Sequence, residues 1–242
     1  MKTAAVVTVT NGKRPGELLN CLMSVASQTY PVKHYIFCDG DFQTFWDIRN
    51  LHGSDCVKVC YWDGFVGGKD VEGRRLYAAS ALLVNEDVTF FCNDDDWYKP
   101  NHVQSIMAKI DEGYDWAYCL RSVYDKDGAY LFDDDCEALG ELHDCWQAPG
   151  HRFVDWCMWG MKTPVLKALA NVLAQPGWGG DRKFYQAAKQ VFPNFTWSGE
   201  RSFCFRLGGN EYSVTKDFFE KGNYTMLNKY NNQLPWKPHE EL

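Results

Sequence analysis

The chain has 242 residues, 45% of them hydrophobic and 24% charged, with a net charge of −7. The length suits one large domain, and the composition excludes a disordered chain, a collagen-like repeat and a disulfide-stapled mini-protein. The acidic balance argues against a protein that coats nucleic acid non-specifically, and the unusual feature is the aromatic share, 16%, with 10 Trp, 13 Tyr and 15 Phe.

No apolar stretch exceeds strand length, so no transmembrane segment is expected. The N-terminal residues read as a β-branched strand, Ala4–Thr10, and not as a signal peptide. That predicts a cytoplasmic protein whose ten cysteines are reduced thiols. Cys56 and Cys60 are the tightest pair and have no second pair or His behind them, so no zinc knuckle is expected. Pro15 opens a helix with Leu18, Leu22 and Val25 on one face. Residues 35–38 form a short strand ending at Asp39-Gly40-Asp41, and Val57–Trp62 forms another. Asp70 is the expected N-cap of a helix running to Val84 with Leu76, Ala79 and Leu83 on one side. Residues 88–92 are a buried strand that runs into Asn93-Asp94-Asp95-Asp96. Asn101 then caps a helix carrying Val103, Ile106, Met107 and Ile110. This alternation predicts an α/β fold with a mostly parallel central sheet flanked by helices. Ligands in such sheets bind at the carboxyl ends of the strands, where both acidic loops fall.

The pattern then changes. Residues 115–124 and 129–132 are strands joined by the turn Asp125-Lys126-Asp127-Gly128. Asp133, Asp134 and Asp135 read as solvated surface charge in the loop that follows, and His143 and His151 as exposed loop residues. Thr163 and Pro164 open a helix as N-cap and first residue. Gly177-Trp178-Gly179-Gly180 is a flexible loop, and Asp181 starts the next helix. Residues 203–207 form a late strand, and the tail past Lys221 is polar and aromatic. The expected layout is a single domain: 1–100 a nucleotide-type α/β half, 101–220 an irregular half that completes a pocket, and 221–242 a C-terminal tail.

The 93–96 loop carries the chemistry. Three adjacent carboxylates repel one another unless something positive sits among them. Hard cations such as Mg²⁺ or Mn²⁺ prefer such oxygens and bridge them to phosphates. A solvated acidic turn is the plain alternative. What favours the metal is the place of the loop, after a buried strand of a parallel sheet.

Several motifs in order resemble the family 2 glycosyltransferases of GT-A fold, which use nucleotide-diphospho-sugars. They are the stretch from Val7 to Pro15, the helix end Ser24-Val25-Ala26-Ser27-Gln28-Thr29, the strand end Ile36-Phe37-Cys38-Asp39-Gly40-Asp41, and Asn93-Asp94-Asp95-Asp96-Trp97-Tyr98-Lys99-Pro100. The resemblance implies a GT-A (Rossmann-like) fold and a divalent cation, Mn²⁺ or Mg²⁺. It implies that Asp39 accepts the N–H of the base, commonly uracil, and that Thr10 lines the same pocket. Arg75, with Arg74 competing for the role, approaches the nucleotide, and Arg14 and Asn93 stand with it. Asp94 touches the ribose, while Asp95 holds the metal on the diphosphate. Asn93 stands where the family often has Asp, and Asp94 with Asp96 is also an Asp-x-Asp pair, so Asp96 is a second metal candidate. Gly208 falls where a metal-binding His is often found.

Inverting transfer needs a base for the acceptor hydroxyl. Asp181 is the candidate. Its segment is similar to the family's Glu-Asp motif, with Gly180 in place of Glu; the ordinary alternative is a helix N-cap. Trp146, Trp156, Trp159 and Trp178 concentrate in the second half, with Asp155 beside Trp156. Sugars pack on aromatic rings and donate hydroxyls to carboxylates, so Trp178, Asp155 and Trp156 are the acceptor candidates; core packing is the other use of such rings. The implied activity is metal-dependent, inverting sugar transfer from a nucleotide-diphospho-sugar, a UDP-sugar, to an acceptor hydroxyl. That hydroxyl belongs to a glycan, a lipid-linked sugar, a small molecule or, disfavoured by the acidic charge, a base in nucleic acid. The competing readings are a nucleotidyl or phosphoryl transferase using the same acidic loop, and an inactive sugar- or nucleotide-binding protein.

Overall fold

A computed structural model describes residues 1–51, 57–66, 73–177, 179–208 and 214–237. The strand β1 (Ala4–Thr10) is buried along nearly its whole length, as a β-branched run between two neighbours should be. It pairs in parallel with β2 (Val32–Asp39) and β4 (Val88–Phe91), and β2 pairs in parallel with β3 (Val57–Trp62). Alternation along β2 places helices on both of its faces. Ile36 and Cys38 pack with Leu18 and Leu22 of α1 (Pro15–Ala26) and Ile48 of α2 (Phe42–Leu51), whereas Tyr35 and Phe37 join the cluster of Leu76 and Tyr77 from α3 (Arg74–Leu83). The helix α2 lies in a stretch where the sequence showed no element. The N-cap of α3 is Gly73, in left-handed conformation. Asp70, the expected cap, lies outside the described residues.

Beyond β4 the sheet becomes mixed. Its order is β3-β2-β1-β4-β8-β6-β9-β5. Strand β8 (Trp159–Lys162) is antiparallel to both β4 and β6 (Trp116–Tyr124), and β6 runs parallel to β9 (Phe195–Arg206). The two-residue β5 (Trp97–Tyr98) lies along β9, and β7 (Tyr130–Asp133) folds back on β6 through the expected hairpin. In that turn Asp125 accepts the N–H groups of Asp127 and Ala129. The helices of this half are α4 (His102–Asp111), α5 (Thr163–Leu173), α6 (Gly180–Val191) and α7 (Lys216–Lys229). Lys162 occupies the N-cap position of α5, so Thr163 is already inside the helix. Its hydroxyl donates to Glu86 O instead.

Two expectations are corrected. The stretch after Lys221, expected as part of a tail, continues α7 as far as Lys229, and Thr215 caps that helix through the N–H of Phe218. Phe219 and Met226 of α7 are buried with Leu234 and Trp236 in a second core. The acidic run 133–135 is not solvated surface charge, and only Asp133 stays part-exposed. Asp134 and Asp135 are buried, as is Arg121 of β6. Arg121 donates to Asp134 (2.8 Å) and Glu137 (2.5 Å). Asp134 also accepts three N–H groups, from Cys136, Glu137 and Ala138. Asp135 is held by Arg201, Trp236 and Lys237. A buried carboxylate is tolerated only when paired, and here most of the partners are remote in sequence. Among the described residues no helix is long and apolar enough to cross a membrane.

Candidate active site

Three parallel strands end on one edge and deliver the expected residues there. Thr10 closes β1, Asp39 closes β2, and the 93–96 loop follows β4. The Thr10 hydroxyl donates to Asp94 Oδ2 at 2.7 Å and accepts the N–H of Gly12. Asp39 is buried, and its Oδ1 accepts the N–H of Val66 at 2.8 Å. From the β1–α1 loop Arg14 spans two carboxylates, with Nη2 at 2.6 Å from Asp94 Oδ1 and Nη1 on Asp95 Oδ2. Burial pushes the Asp94 carboxyl up to about 6, with Arg14 pulling the other way.

The three aspartates differ in direction. Asp96 is buried, and its oxygens accept the N–H of Arg206 (2.9 Å) and the amide of Asn93 (3.1 Å). Burial, reinforced by the charge of Asp95, pushes its carboxyl well up. Asp95 keeps part of its surface. The oxygen-only donors of this loop suit a hard cation such as Mg²⁺ or Mn²⁺. Among the described residues no group of three or more His, Cys, Asp or Glu side chains gathers for a metal. A divalent cation held by Asp95 would need its remaining ligands from phosphate oxygens and water.

Asn93 explains itself in this setting. Its Oδ1 lies 3.2 Å from both Tyr77 OH and Trp156 Nε1, while its Nδ2 donates to Asp96. An aspartate here would set a second carboxylate against the buried Asp96, which costs free energy. The indole of Trp156 is nearly buried and serves as this donor, with Arg74 over its ring at 5.8 Å. Arg74 is buried and reaches Gly177 O at 2.8 Å, whereas Arg75 is exposed on α3. A Cβ at Gly180 would overlap the Arg74 guanidinium. Arg74 thus fills the space that a longer residue at 180 would need.

Asp181 sits in the second position of α6, after the left-handed N-cap Gly179. It is therefore not the N-cap, although its Oδ1 accepts the N–H of Arg182. Burial raises its pKa, opposed by Arg182 and Arg121. Asp155 caps the short turn Trp156–Met158 through the N–H of Cys157 and lies 3.6 Å from Arg121. Burial raises the Asp155 pKa as well, and the charges of Asp181 and Asp95 add to it, so the three carboxylates share one region. Beneath them Glu137 bridges Arg121 and Arg182 and is pushed up by burial to about 7. Trp178 lies outside the described residues. Trp159 is buried, stacked on Phe184, and Trp146 packs on Phe218.

Sequence reasoning missed Arg206, Tyr77, Glu137 and Arg121 as supports. Arg206 donates to the carbonyls of Asp95 and Lys126 and lies over Trp97, so it fastens the acidic loop from β9. The sequence signal for Arg206 is its place in Arg206-Leu207-Gly208, a segment that resembles the family's Arg-x-His tail, though that resemblance assigns it no role.

A family model for glycosyl transferase family 2 matches residues 5–170. Among solved structures, the chain is similar to S. aureus TarS 1–349, at 15% identity and TM-score 0.63, over 84% of this chain and 60% of that one. It is also similar to the same protein in complex with UDP-GlcNAc (15%, TM-score 0.65, 94% and 67%) and in complex with UDP (14%, TM-score 0.63, 94% and 66%). The chain thus spans about two thirds or less of the length of these structures. A search of curated proteins found no match.

Proposed function

The chain belongs to glycosyl transferase family 2, and from that premise we propose that it transfers a sugar from a uridine diphosphate sugar to an acceptor hydroxyl, with inversion. The observation that carries the reading is the edge where Thr10, Asp39, Asp94 and Asp95 meet at the ends of parallel strands, with Asp155 and Asp181 in the same region. The complexes of TarS with UDP-GlcNAc and UDP support the choice of nucleotide.

In this reading residues 1–100 hold the donor and 101–220 the acceptor. Asp39 accepts the N–H of the uracil, Thr10 and Asp94 face the nucleoside, and Arg14 and Arg74 supply positive charge near the phosphates. Asp95 holds the divalent cation, and Asp96 and Asn93 brace the loop behind it. A bound Mg²⁺ or Mn²⁺ neutralises charge that develops on the leaving diphosphate. Asp181 takes the proton from the acceptor hydroxyl as its oxygen attacks the anomeric carbon, and the bond to the diphosphate breaks with its electron pair on the phosphate oxygen. Asp155 borders the acceptor.

The test is Asp181→Asn with UDP-sugars and Mn²⁺. Donor binding should persist within about twofold while transfer falls by about 10²–10⁴. Wild-type turnover in the variant would remove Asp181 as the base. Release of pyrophosphate in place of UDP would replace the whole reading with nucleotidyl transfer.

A further inference from the structure

We propose that Arg14 is a displaceable counter-cation, which occupies Asp94 and Asp95 until a diphosphate arrives and so makes the divalent cation enter together with the nucleotide. This rests on the reading that the cleft takes a nucleoside diphosphate with a divalent cation.

Arg14 comes from the loop before α1, at the N-cap position, and its two terminal nitrogens go to different carboxylates. It is the outermost member of the trio: its side chain is 31% exposed, against 4% for Asp94 and 13% for Asp95. Asp94 spends its other oxygen on Thr10, so the guanidinium covers the outward side of both acids. A carboxylate already bonded to a guanidinium is a poor ligand, and a divalent cation brought beside Arg14 meets like charge.

A diphosphate changes that balance. Its oxygens match the planar fork of arginine, and a long, part-exposed side chain can turn toward them. Asp95 is then free for the cation that the diphosphate also attracts.

Mn²⁺ titration by electron paramagnetic resonance on the full chain, with and without UDP, tests this without reference to turnover. In the wild type, UDP should tighten Mn²⁺ binding by at least about tenfold. In Arg14→Ala, Mn²⁺ alone should bind about tenfold more tightly than in the wild type, and the enhancement by UDP should shrink. Arg14→Gln, which keeps the length without the charge, should behave likewise and stands in if the alanine variant does not fold. Equal Mn²⁺ affinity of variants and wild type without UDP overturns the role of Arg14, even where UDP binds normally. A wild type that binds neither UDP nor Mn²⁺ with UDP overturns the reading of the cleft itself, and this inference with it.

Discussion

The chain holds two runs rich in aspartate, 93–96 and 133–135, and they have opposite fates. In the first, Asp95 keeps a partly open carboxylate and its cation, Arg14, is part-exposed. In the second, Asp134 is sealed beneath Arg121 and three backbone N–H groups. Composition does not separate them. What does is the source of the compensating charge. The second run is answered from within the fold, by Arg121 and Arg201, and has no demand left to place on a ligand. The first faces the edge where strands β1, β2 and β4 end, and its cation can be exchanged.

The strongest way to break this contrast is Arg121→Met. It strips Asp134, Glu137 and Asp155 of their shared cation and should cost about 3–5 kcal/mol, read as a large drop in melting temperature. A melting curve like that of the wild type would mean that the second run is not held by that charge. Asp95→Ala should do the reverse. Mn²⁺-dependent UDP binding should fall by at least tenfold, about 1.4 kcal/mol, while the melt shifts little. Unchanged titration heat with and without Mn²⁺ would sink the metal assignment.

Mild acid sharpens the contrast with a smaller effect. Burial raises the Asp181 pKa, so its ionised, basic form is lost as pH falls toward that raised value, before an ordinary carboxylate would titrate. Asp134 is the opposite case. Burial works against its charge, but Arg121 and the N–H groups hold its pKa below normal. Its stabilising contribution is present above the ordinary carboxylate value of 3.8 and is lost only as pH falls through the lowered folded value. Transfer should therefore decline as pH falls toward the raised Asp181 pKa, at a higher pH than an ordinary carboxylate would give, while the contribution of Asp134 to the melting temperature persists to lower pH. Parallel loss of both would place the titration in the fold and not at the base.

The first half of the chain was largely legible. β1 reads out residue for residue because its β-branched run has a single periodicity, and the acidic loop follows a strand whose four residues are all buried. The hairpin at 125–128 is likewise local chemistry. Where pairing is remote, reading fails. β8 is only four residues long and contains Gly160, which looks like a loop residue in sequence. In the fold its missing side chain makes room for the Phe90 ring. α2 is rich in Phe and Trp, and α7 is interrupted by Gly222 and Asn223, so neither has a clean helical stripe. At the site, the positions at strand ends could be named in advance. The partners that orient them could not, since Arg206 with Asp95, or Arg121 with Asp134, meet only in three dimensions.

The overlap between Arg74 and position 180 carries a consequence for how this sequence can drift. The two positions share one volume, filled from α3 by a cation and left empty at the start of α6. Any side chain at 180 would have to evict Arg74 or arrive with a shorter residue there, so the two sites should change together. A glutamate at 180 would also reverse the sign of the charge in that volume. Tolerance at either position is therefore a property of the pair: a small residue at 180 should be accepted where the flexible end of Arg74 swings aside, and a bulky one only with a shorter residue at 74.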